Sequence, residues 1–175
     1  MGHVALKPYS QGTLDGLCAV YGIVNAARIV TGSDDHESRK LFKDILKYLD
    51  EVRPLSEILV DGIGLTTVGG ILNNVVGDRI PHRTMPFKQH PDTSLDEFWT
   101  SMQEFLASGD RRAIFIGIGG PMWDHWTIVD SISERQIRFF DSHRLRRLNR
   151  SRCATTRSTK LRPHLLCPTH AYFLS

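Results

Sequence analysis

The chain has 175 residues, 41% of them hydrophobic and 23% charged, with a formal net charge of +3. That balance excludes disordered and fibrous classes and fits one globular domain over 1–175. There is no run of about 18 apolar residues, and Met1 to Ser10 lack the apolar stretch of a secretory signal, so a cytoplasmic protein is expected; export of a folded effector would leave no such mark. Three cysteines, Cys18, Cys153 and Cys167, form no disulfide framework and point to free thiols, one of them a candidate nucleophile.

The first half reads as helical. Apolar Leu17, Val20, Tyr21, Val24, Ala27 and Ile29 recur at helical spacing over Leu17–Val30, with Asp15 and Gly16 as cap candidates. This sets Cys18 in a first helical turn. Further helices are expected over His36–Asp50, stopping before Pro54, over Thr66–Val76, and over Ser94–Ala107, where Ser94 and Glu97 form a capping-box pattern. Pro81 to Asp92, rich in proline, reads as a loop or short edge strand. The periodicity then changes. Ala113–Ile118, Trp126–Ile132 and Gln136–Phe140 are short, rich in Ile, Val and aromatics, and bounded by turns; Tyr172–Leu174 adds a closing strand. Helices followed by antiparallel strands predict an α+β fold with segregated layers.

A hairpin turn centred near Ser133 and Glu134 sets position 125 opposite 141 or 142. His125 and Asp141 then oppose each other, close enough for an imidazole–carboxylate hydrogen bond that orients the ring and leaves its other nitrogen as a base. His143 is the reserve candidate for that role. A thiol in the first turn of a helix lies in the positive end of the helix dipole, and only Cys18 has that placement. Gln11, just upstream, is either a turn residue or a side-chain donor that cradles an oxyanion together with the Cys18 N–H.

The segments Gln11-Gly-Thr-Leu-Asp-Gly-Leu-Cys18-Ala-Val-Tyr, Asp124-His125-Trp126-Thr-Ile-Val and Phe139-Phe-Asp141-Ser resemble the Gln, Cys, His and Asp blocks of the papain-like cysteine peptidase superfamily. The nearest layout is its compact bacterial branch, similar to bacteriocin-processing peptidases. Gln11 precedes Cys18 by seven positions, one more than is usual there, and Ala19 stands where many members carry Gly. The resemblance implies a papain-like fold with the nucleophile on the first helix, and Cys18, His125, Asp141 and Gln11 as catalytic residues. It also implies a thiol peptidase or isopeptidase that works through an acyl-enzyme, with no metal or organic cofactor. A deamidase, transglutaminase or acyltransferase effector would use the same residues, and an inactive binding module would keep the scaffold alone.

His164, Cys167 and His170, with Cys153, offer zinc-ligand chemistry but lack a recognised spacing, so no metal site is expected. Beyond Asp141 there is no acidic residue, while the segment 144–162 holds eight of the chain's basic residues. It reads as a solvated basic surface or as a docking face for an acidic partner at the cleft mouth. No aromatics interleave its arginines, which argues against nucleic acid. The expected partners are a protein or peptide substrate and an inhibitor or immunity protein, with no membrane partner.

Overall fold

The computed structural model describes residues 6–121 and 124–175. Five helices precede or interrupt the strands: α1 (Cys18–Thr31), α2 (Asp35–Val52), α3 (Leu55–Asp61), α4 (Leu65–Ile71), which runs on into a π turn at Leu72–Val76, and α5 (Leu95–Ala107). The strands are β1 (Arg83–Thr84), β2 (Ala113–Gly119), β3 (His125–Ile132), β4 (Gln136–Phe139), β5 (Arg147–Asn149), β6 (Cys153–Ala154) and β7 (His164–Leu174). They form one sheet in the order β1-β7-β2-β3-β4-β5. Every pairing is antiparallel except that of β6, which runs parallel to the start of β7. The α+β class expected from the sequence is the one observed.

The sheet is covered on both faces, which two segregated layers would not provide. Phe115, Trp126, Ile128 and Tyr172 pack with Val20, Ile23, Val24 and Ala27 of α1 and with Ile45 and Leu49 of α2. Ile114, Ile116, Val129, Phe139 and Phe173 turn the other way, onto Phe98, Trp99 and Met102 of α5. Strand β2 is buried on both faces, which explains its unbroken apolar run. α1 lies close on it: a Cβ added at Gly22 would come within 2.5 Å of the Phe115 ring. That approach presses the start of α1 against the neighbouring strand β3.

The elements depart from expectation at three places. Asp15 is not the cap of α1. Leu17 holds that position without a side-chain cap, and the Asp15 carboxylate instead accepts from Gly12 N–H and Leu17 N–H, folding the loop ahead of the helix. α2 stops at Val52, ahead of Pro54 as expected, but Pro54 then caps α3, a short helix not expected there, where its missing N–H costs nothing. The segment 144–162 is not a free basic tail, because it contributes β5 to the β4 edge and β6 to β7.

The hairpin register differs as well. Ile132 pairs with Ile137 and Ser131 with Arg138, and after an irregularity Val129 pairs with Phe139. The cause is Ser133, whose hydroxyl accepts from the Arg135 and Gln136 amides while its own N–H donates to Gln136 O at 2.8 Å, shifting the turn one position along. Beyond the ladder, Phe140 N–H still donates to Ile128 O at 2.9 Å. Continued spacing sets Asp141 opposite Thr127 and diagonal to His125, a separation that long side chains bridge.

Candidate active site

Cys18 is the first residue of α1, and the absence of a side-chain cap leaves the first backbone N–H groups of the helix facing outward. A further donor reaches the sulfur from the sheet, where the Trp126 N–H points at Cys18 Sγ over 3.5 Å. The His125 ring, at the first position of β3, lies close enough to Cys18 for the thiol to act on its pKa. Its Nε2 lies 2.6 Å from Asp141 Oδ1, which leaves Nδ1 as the ring nitrogen available to the thiol. His125 is 8% exposed and Asp141 5% exposed, so the pair is shielded from water.

The second carboxylate oxygen of Asp141 accepts from His143 N–H at 2.7 Å and from Leu145 N–H at 2.8 Å. The turn that follows, with Arg144 at φ 66°, wraps the backbone around the carboxylate. Burial alone would raise the Asp141 pKa. Hydrogen bonding from His125, the nearby Thr127 hydroxyl, the His125 charge and the Leu145 amide outweigh it and hold the carboxyl below its ordinary value. Thr127 is buried and its hydroxyl has no fully formed hydrogen bond of its own. For His125 burial pulls the pKa down, but the hydrogen bonds to Asp141 and Cys18 and their charges win, raising it to about 9. The shift favours the protonated form of the ring, which carries positive charge beside the sulfur.

Gln11 is held from three sides. Its N–H donates to Ser142 O at 3.1 Å, its Oε1 accepts from the Ser142 hydroxyl at 3.0 Å, and its Nε2 donates to Asp15 O at 3.0 Å. Gln11 thus fastens the turn, and of the two protons on its amide nitrogen the Asp15 carbonyl takes one.

Gln11, Cys18, His125 and His143 line one cleft of about 370 Å³ with Asp15, Gly16, Asp124, Trp126 and the wall Val60–Ile63. The wall is fixed by backbone contact to the loop ahead of Cys18. Gly16 N–H donates to Leu59 O at 2.7 Å, and a Cβ at Gly16 would lie 2.8 Å from Gly62 N. Leu14, 95% exposed, and Val60, 77% exposed, are large apolar residues left on the surface, one in that loop and the other on this wall.

His143 reaches the cleft through its ring, 6.2 Å from that of His125, but it is the His143 backbone that engages Asp141. Ser142 and the 60–63 wall were not legible in the sequence. Ser142 is 4% exposed and adjoins Asp141, but a single buried serine leaves no periodic signal. The other two thiols are set apart. Burial pushes Cys153 up to about 12 and raises Cys167. Of the residues weighed for zinc, His164, Cys167 and His170 are strung along β7, and among the described residues no group of three His, Cys, Asp or Glu could hold a metal ion. No described helix is long and apolar enough to cross a membrane. No protein-family model, no curated protein and no solved structure matches the chain.

Proposed function

We propose that the chain is a papain-like thiol hydrolase that cleaves amide bonds in proteins or peptides. The observation that carries this reading is a helix-start cysteine that lines one cleft with a buried His125, whose Nε2 is 2.6 Å from a buried carboxylate. Cys18 Sγ, as thiolate, attacks the carbonyl carbon, and the new oxyanion accepts hydrogen bonds from Cys18 N–H and Gln11 Nε2. His125 gives its proton to the leaving amine, which departs and leaves a thioester on Cys18. Water then attacks the thioester, losing a proton to His125, and the thiol is restored as the acid leaves. Asp141 keeps the ring in one orientation throughout and exchanges no proton.

The test is brief iodoacetamide treatment at neutral pH, read by peptide mass, alongside turnover of a panel of peptide-amide reporters. Modification confined to Cys18, together with hydrolysis that is lost in Cys18→Ala and in His125→Ala but kept in Cys153→Ala, is expected. Equal labelling of all three thiols, or turnover surviving in Cys18→Ala, overturns the reading.

A further inference from the structure

Between Arg135 and Arg162 the chain carries nine Arg and one Lys against a single acid, the buried Asp141. The remainder has twelve basic residues against eighteen acidic ones, so the molecule is electrically two-sided. The two regions also treat their cations differently. In the first half Arg28, Arg53 and Arg79 each face a carboxylate. In the basic region, among the described residues, only Arg150 does, through Asp96.

The sheet arranges these charges in a way that folding alone does not favour. Arg138 of β4 and Arg147 of β5 are direct cross-strand partners, both exposed. Like charges opposed across an antiparallel ladder are destabilising. Their neighbours Ile137 and Leu148 turn into the core under α5, so the two guanidinium groups stand on the opposite face, the face that α1 covers further along the sheet. The region also adjoins the cleft. Arg146 follows His143, a cleft residue, by three positions, a chain reach of about 11 Å at most.

We propose that this basic ledge, running from β4 through β5, docks an acidic stretch of polypeptide by its carboxylates. Planar guanidinium forks match carboxylates in pairs, and Arg outnumbers Lys here. Between Arg135 and Arg162 the aromatic side chains, Phe139 and Phe140, are both buried, so the ledge has no platform on which bases would stack. The choice of polypeptide as occupant rests on the amide-hydrolase reading; the capture of carboxylates does not.

The full chain is titrated with a fluorescein-labelled peptide of alternating Glu and Gly, and separately with an oligothymidylate of equal charge. The peptide is expected to bind, to weaken steeply as salt rises from about 0.05 to about 0.3 M, and to bind about tenfold more weakly to Arg138→Gln/Arg147→Gln. Lys40→Gln/Lys43→Gln, on exposed positions of α2, should bind as the parent does. Cys18→Ala should bind normally, and a parent chain that binds the peptide but turns over no reporter would sink the hydrolase reading and leave the ledge standing. Binding of the oligothymidylate without the peptide would make the ledge a phosphate reader and overturn the proposal. Binding of neither by the folded parent would overturn the proposal and reduce the ledge to a solvated surface.

Discussion

Asp141 spends both of its oxygens, one on His125 Nε2 and one on two backbone amides. An asparagine there cannot serve both sides. If its oxygen keeps the His143 and Leu145 amides, its NH₂ faces Nε2, which must then give up its proton and become an acceptor. Asp141→Asn is therefore expected to lower kcat by on the order of 10²–10⁴ with folding largely kept. It also removes the hydrogen bond and charge that raise His125, so the alkaline limb of the rate profile, expected near pH 9 in the parent, should move to lower pH. An unmoved limb would mean that another group sets it. The same shifts predict how stability depends on pH. His125 is raised when folded, so its contribution is complete below its ordinary 6.5 and drains away as pH climbs through about 9. Asp141 is lowered, so its contribution is present above its ordinary 3.8 and is lost as pH falls through the depressed folded value. Thermal melts should thus decline between pH 6.5 and about 9 in the parent, and His125→Gln should flatten that decline.

At the scale of elements, the seating of α1 on β2 decides where the thiol lies. Gly22→Ala brings about 1 kcal/mol of helix propensity but drives a methyl group into the Phe115 ring, a buried overlap that costs about 1–3 kcal/mol. Denaturant unfolding should show net destabilisation, relieved when Phe115→Leu is added; no recovery in the double variant would place the cost elsewhere. Helical spacing and the apolar run of β2 made these two elements legible in the sequence. What stayed hidden depended on side chains acting on local backbone. Ser133 moves the hairpin turn, so the expected opposition of His125 and Asp141 becomes a diagonal contact. β7 extends over eleven residues instead of three, although Pro168 lies inside it. Between Ile116 and Ile118 the partner numbering jumps from Ala171 to Leu166, and Pro168 sits in that irregularity, where a missing donor is tolerated. β5 escaped notice because only Leu148 of its three residues is buried. Cys18, His125 and Gln11 were singled out by the helix start, by the hairpin register and by position upstream of the helix.

For the molecule as a whole, the like-charged Arg138–Arg147 pair sits in the sheet, and its repulsion is a cost shared by the entire fold. Arg147→Thr should raise stability by about 0.2–1 kcal/mol at low salt, and the gain should shrink as salt screens the pair. Calorimetry at two ionic strengths checks this, and a variant less stable than the parent would show that Arg147 makes a favourable contact. Another molecular property follows from the consecutive residues Asp141 and Ser142. One grips the His125 ring and the other grips Gln11 by main chain and side chain, so a single dipeptide bolts the strand bearing His125 to the loop that leads into Cys18. Gly16 fastens that loop to the opposite wall through Leu59. The opening is thus a slot braced on both sides by hydrogen bonds already made in the free protein. Hydrogen exchange at the Gln11, Gly16 and His143 amides should be slow in the free protein and change little when the slot is filled.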